Sequence, residues 1–200
     1  MTVDRSSRVL IIACGAIAAE LVRVKRMNAW EQIDIQCLPA ELHNRPERIA
    51  TAVEQKIREN AGDYDRILIG YADCGSGGQL DAVAEKYGAA RIPGAHCYEF
   101  FSGAGRFAEL SEREAGTFYL TDYLARNFER LIIRGMGIDR HPELKDMLFG
   151  NYRRLVFLAQ SSDVSLDREA ERAALFLELE YERIPTGLDA FRDSLEHLIR

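Results

Sequence analysis

Arg66-Ile-Leu-Ile-Gly-Tyr-Ala-Asp-Cys74-Gly-Ser-Gly-Gly78 is the stretch whose reading decides the fold. Ile67 to Tyr71 is short and apolar, with a charge before it and glycines after it, which predicts a strand buried on both faces. The glycines beyond Cys74 predict a sharp turn. Gln79 to Tyr87, stopped by Gly88, predicts a helix. Strand, small-residue turn and helix together form the repeating unit of a parallel sheet covered by helices.

The same unit recurs on either side. Arg8-Val-Leu-Ile-Ile-Ala-Cys14-Gly15 predicts a strand and turn, followed by helical spacing from Ala16 to Asn28. Ile33 to Leu38 reads as a second strand, ending near Cys37 and Pro39. Asn44-Arg-Pro46-Glu reads as a helix start, with Asn44 as cap and Pro46 in the first turn. Ile49, Val53 and Ile57 then supply one apolar face. Further strands are expected at Ala90 to Pro93, Leu155 to Ala159 and Tyr181 to Ile184, and further helices at Leu166 to Leu179 and Leu188 to Ile199. Residues 98–135 read as mostly helical, broken near Gly103 and at Gly116. Tyr119, Leu120, Tyr123, Leu124, Phe128 and Leu131 form an apolar stripe there. The expected fold is α/β: a doubly wound, mostly parallel sheet with helices on both faces, Rossmann-like, in a single domain over 1–200. A helical insertion is expected at about residues 98–150.

The totals narrow the function classes. The chain has 200 residues, 47% hydrophobic and 29% charged, an ordinary globular balance that can bury a core without disulfides. A net charge of −6, with both signs interspersed, favours neither nucleic acid nor an anionic membrane as partner. No run reaches the ~20 apolar residues of a membrane span, and the first residues lack a signal-peptide core. A cytoplasmic location is expected. In that reducing setting the four cysteines are thiols, metal ligands or catalytic groups rather than staples.

Three cysteines share a setting. Cys14 and Cys74 each follow an apolar run, and Cys97 follows Arg91-Ile-Pro-Gly-Ala-His96. If those runs are neighbouring parallel strands, the three thiols meet at the carboxyl edge of the sheet, where open α/β folds place their sites. Thiolates suit zinc, and three of them leave one position open for a substrate thiol. The same set also suits an iron–sulfur cluster with one non-cysteine position. Against both stand buried thiols that only pack, and a redox or nucleophilic thiol without metal. No Cys-x-x-Cys pair favours any of these. His96 and Cys97 are adjacent and point to opposite sides of extended chain, so one or the other is the ligand, with Cys97 preferred. Cys37 reads as packing, His43 as a cap or surface residue or, since its loop follows a strand, a part of the pocket, and His141 and His197 as surface.

Gly75, Ser76, Gly77 and Gly78 lead into a helix start and form a candidate cradle for a phosphate, carboxylate or cofactor, although no phosphate-binding lysine follows. A tight strand-to-helix turn explains them equally well. Asp73 and Glu99 are the candidate acid–base groups, Asp73 also as a support to a ligand. Gln160 and Asp163 follow another strand and are candidates for the same crevice. Tyr98, Phe100, Phe101 and Phe107 read as core, or as the wall of a pocket.

Tyr71-Ala-Asp-Cys74-Gly-Ser-Gly-Gly78 and Arg91-Ile-Pro-Gly-Ala-His96-Cys97-Tyr98 resemble the signature blocks of an uncharacterised bacterial and archaeal family, known only as a domain of unknown function. Ala13-Cys14-Gly15, Cys37-Leu-Pro-Ala-Glu-Leu-His43-Asn-Arg-Pro46, Gly116-Thr-Phe-Tyr-Leu-Thr121 and Leu155-Val-Phe-Leu-Ala-Gln160 extend the likeness over nearly the whole chain. Many members carry His-Asp-Cys where this chain joins His96 to Cys97 directly. The resemblance implies genes set beside corrinoid proteins and methyltransferases acting on methylated amines. Together with the three thiols, that setting gives the expected function: a protein of one-carbon metabolism holding zinc or another thiophilic metal, which activates a thiol or holds an intermediate in methyl transfer, with a small-molecule substrate and corrinoid supplied only by a partner protein. The alternatives are a non-catalytic accessory or carrier for a corrinoid methyltransferase system, and a plain binding domain.

Overall fold

The unit predicted from residues 66–88 folds as read. A computed structural model describes residues 7–199. The N-terminal residues read above for a signal peptide lie, apart from Ser7 and Arg8, outside them. The chain divides into two compact units. One runs to Cys97 and resumes at Phe191, and the other is Tyr98–Ala190.

The first unit alternates β1 (Val9–Cys14), α1 (Ala18–Met27), β2 (Ile33–Leu38), α2 (Ile49–Glu59), β3 (Arg66–Gly70), α3 (Gln79–Tyr87) and β4 (Ala90–Arg91). Its sheet is wholly parallel, in the order β2-β1-β3-β4. From β1 the chain first winds outward to β2, then crosses to β3 on the other side. The winding direction thus reverses between β1 and β3, and the crevice beyond their carboxyl ends is where such folds bind ligands. Val9 to Ala13 are buried on both faces, as an all-parallel strand requires. Leu10, Ile12 and Ile69 pack with Ile49, Val53 and Ile57 of α2 and Leu80 of α3. Gly70 is obligatory, because a Cβ there would lie 2.8 Å from the Cβ of Ala13, its partner on β1.

Asn44 does not cap α2. It closes a 3-10 turn, Ala40–Asn44, and Pro46 opens another, Pro46–Arg48, from which α2 continues. Proline is preset for such an entry, and 3-10 turns are common there.

The second unit contains α4 (Tyr98–Ser102), α5 (Ala104–Arg113), β5 (Thr117–Thr121), α6 (Asp122–Arg126), a π-helical stretch Glu129–Arg134, α7 (Leu144–Phe149), β6 (Arg154–Ala159), α8 (Val164–Leu177) and β7 (Glu180–Pro185). Its sheet is also parallel, in the order β5-β6-β7. The chain then enters α9 (Asp189–Ile199), most of which belongs to the first unit. There Arg66 donates hydrogen bonds to the carbonyls of Ile199, at 2.6 Å, and Leu198. Gly103 (φ +78°) breaks α4 from α5, so this glycine-containing segment is a helix break. The architecture is α/β and Rossmann-like: two parallel sheets with helices around them.

The reading of residues 98–135 as helical needs one correction. Thr117–Thr121 is a strand, and the apolar stripe is shared between β5 and the helices after it. Apolar residues at 119, 120, 123 and 124 satisfy helical spacing over so short a span, but the β-branched and aromatic content of Thr-Phe-Tyr-Leu-Thr favours a strand. Thr121 marks the switch, its hydroxyl accepting from Leu124 N–H to cap α6. Among the described residues no helix is long and apolar enough to cross a membrane.

Candidate functional site

β1, β3 and β4 deliver the three thiols. Cys14 is the last residue of β1, and its Sγ accepts the Ala16 N–H at 3.4 Å, capping the 3-10 turn Gly15–Ile17. Gly15 lets that turn lie against β2, because a Cβ there would sit 2.8 Å from the Leu38 carbonyl oxygen. Beyond β3, Tyr71 and Ala72 remain buried. The Asp73 N–H then bonds the Gly94 carbonyl at 3.0 Å, and the Cys74 N–H bonds that of Ala95 at 2.9 Å. The chains leaving β3 and β4 therefore stay side by side past the end of the sheet. That clamp brings the thiol of Cys97 into contact with that of Cys74.

Cys74 has φ +49°, left-handed for a residue with a side chain, at a cost of order 1–3 kcal/mol. Asp73 holds the turn that imposes it. Its carboxylate accepts from Ser76 Oγ and Gly78 N–H, both at 2.8 Å, and from Gly77 N–H at 3.2 Å. These bonds hold the Asp73 carboxyl below the usual carboxylate range. Asp73 thus fixes backbone as an anion. The amides of Gly77 and Gly78, candidate donors to a bound anion, are already engaged. Ser76 is buried and Gly75 (φ +81°) packs on the loop after β2, since a Cβ on it would meet Pro46 at 3.3 Å.

The three thiols differ in acidity. The hydrogen bond from Cys97 pulls the Cys74 thiol down against the effect of burial. The same bond keeps the proton on Cys97, and burial raises it further. Burial pushes Cys14 up to about 11, with Cys74 adding to the rise. Cys14 also weighs electrostatically on Cys97.

Tyr71 is the residue the sequence reading passed over. It is 2% exposed, and its hydroxyl abuts the Cys14 thiol without a hydrogen bond of good geometry. Burying a hydroxyl unmatched costs free energy. The only signal in the sequence was its place, a polar-tipped aromatic between the β3 run and the turn.

The remaining candidates fall as follows. Cys37 is exposed rather than packed, although it is near enough to affect Cys14. His96 is exposed and acts electrostatically on His43, while Cys97 turns to Cys74, so the neighbouring side chains go to different partners. His43 is not a plain surface residue, for burial first and His96 second lower its basicity. His141 and His197 are exposed. Glu99 stands in the first turn of α4, in the second unit. Gln160 and Asp163 belong to that unit too, and both are structurally committed. Gln160 exchanges bonds with Asp122 (2.8 and 2.9 Å), and Asp163 caps α8 through Ser165 N–H. Phe100 and Phe101 are buried, and Tyr98 and Phe107 stack with Tyr119, which is packing. Among the described residues no three His, Cys, Asp or Glu side chains stand ready-made as a metal-binding set.

A family model described as "Protein of unknown function (DUF1638)" matches residues 37–195, which takes in Cys74 and Cys97 and leaves Cys14 outside. No curated protein and no solved structure matches the chain.

Proposed function

Since this chain belongs to the DUF1638 family, whose description assigns no activity, we propose from its own residues that it binds a thiophilic metal ion, zinc in preference to an iron–sulfur cluster, through Cys14, Cys74 and Cys97. What supports this reading is the placement of Cys14 at the end of β1 and of Cys74 and Cys97 beyond β3 and β4, at the edge where the winding reverses, near enough to affect one another's acidity. Zinc accepts thiolate sulfur in tetrahedral array, and a site with three protein ligands keeps a position for substrate. Binding a divalent cation would supply the charge that makes deprotonation of the half-buried Cys14 and Cys97 favourable. Cys14 must leave the Ala16 N–H and rotate toward Cys74 to complete the set, a side-chain motion the partly exposed edge permits. Tyr71 then has a use as a hydrogen-bond donor to a sulfur or to a bound substrate.

The finer reading is a transferase of one-carbon metabolism. A substrate thiol held at such a site sheds its proton and keeps its nucleophilicity, which suits acceptance of a methyl group from a corrinoid protein. The corrinoid belongs to that partner. A carrier protein would use the same thiols without turnover.

Elemental analysis of protein purified without oxygen tests the proposal. The wild type should hold zinc through dialysis, and Cys74→Ser should lose it. Wild-type protein that stays metal-free after zinc loading and dialysis refutes it. Turnover with a methyl-corrinoid donor and small thiols then separates the transferase from the carrier.

A further inference from the structure

We propose that Cys74 and Cys97 are a thiol–disulfide exchange couple, with Cys74 as the attacking sulfur and Cys97 as the resolving one. The exchange itself stands apart from the metal reading. Only its consequence, that oxidation removes two of the three proposed ligands, rests on it.

Four features of the first unit support the assignment. The two thiols stand in side-chain contact, and Cys74 sits on the turn whose exposed glycines, Gly75, Gly77 and Gly78, open it to a reagent. The two segments are tied together just before the pair by the bonds Asp73–Gly94 and Cys74–Ala95, which hold the two backbones in register. Both residues keep partial solvent access, as a small reagent requires. The Cys74 backbone is left-handed between Asp73 and three glycines with positive φ, Gly75, Gly77 and Gly78. Glycines pass between backbone regions with little steric cost, so this turn can adjust as a covalent bond forms. Cys14 is set apart from the pair, since its sulfur caps the turn Gly15–Ile17 and must leave that cap to reach Cys74.

The chemistry balances with a low-molecular-weight disulfide such as oxidised glutathione as the oxidant. The Cys74 thiolate attacks one glutathione sulfur, forming a mixed disulfide and expelling glutathione thiolate. Cys97 gives its proton to solvent and attacks the Cys74 sulfur, which forms the internal disulfide and expels the second glutathione. The protein pair loses two electrons, and the oxidised glutathione gains them as two thiols.

Reduced, metal-free protein incubated with oxidised glutathione, then digested without reductant and mapped by mass spectrometry, tests this. The expected product is a peptide pair linked between Cys74 and Cys97, with two glutathiones released per chain. Cys97→Ser should stop at a stable glutathione adduct on Cys74, and Cys14→Ser should still close the bond. Glutathionylation confined to the exposed Cys37, or a bond that includes Cys14, overturns the proposal. So does a wild type that keeps the adduct on Cys74 without closure. The readout is covalent and metal-free, so a failed zinc reading leaves it intact. Oxidised protein should then fail to take up zinc and regain uptake with dithiothreitol. Unchanged uptake after closure overturns the gating.

Discussion

Replacing Tyr71 by phenylalanine should make the protein more stable. The side chain is 2% exposed and its hydroxyl is buried without a hydrogen bond of good geometry. An unmatched hydroxyl taken from water costs roughly 1–3 kcal/mol on mutational scales. Phenylalanine keeps the ring, its volume and its packing against the sheet end, and removes only the oxygen. Against that gain stands the loss of dispersion contacts around the oxygen and of its weak contact with the Cys14 thiol. The net expectation is a gain of about 1 kcal/mol, which for a chain of this size raises the thermal midpoint by roughly 2–4 °C. Urea titration of the reduced protein should show a higher midpoint at unchanged slope. The same variant should bind zinc less firmly, since stability gained at a functional position is commonly offset by lost activity. A fall of about 1 kcal/mol or more would refute the reasoning, because it would mean that the hydroxyl is well bonded in the folded protein.

Gly70→Ala should destabilise the first unit by roughly 1–3 kcal/mol, read by denaturant titration. The added methyl would lie 2.8 Å from the Ala13 Cβ and 3.1 Å from Ile11 Cγ2, between strands that hydrogen bonds hold together. Timed alkylation with iodoacetamide near pH 8, read by peptide mass, should label Cys74 before Cys14. The first is made more acidic by Cys97 and the second is pushed up to about 11. Stability should fall as the pH drops below the ordinary histidine value of 6.5. His43 titrates lower in the folded chain, so the unfolded chain takes up its proton first. His43→Gln should flatten that part of the stability–pH curve, and an unaltered slope would show that His43 is not its source.

The strands of the first unit were legible because each is a short apolar run between a charge and a small-residue turn, and burial on both faces leaves no other pattern. The positions of Cys14, Cys74 and Cys97 just beyond those runs were equally local information. Thr117–Thr121 was not legible as a strand, since two apolar pairs four residues apart satisfy helical spacing too. The role of Asp73 was missed because its partners are the amides of a turn whose shape depends on glycine dihedrals, which residue types permit without dictating.

Residue order by itself therefore determined the elements, the α/β class and the ends of strands on which the thiols stand. Only the tertiary structure decided that β1 lies between β2 and β3, that β5, β6 and β7 form a sheet of their own, and that Cys97 meets Cys74 while His96 comes near enough to affect His43. The reason is physical. Periodicity records which face of an element is buried, whereas neighbours in a parallel sheet are chosen by crossovers and packing between residues far apart in the chain. Cys74 and Cys97 meet because the backbones beyond β3 and β4 remain hydrogen-bonded after the strands have ended.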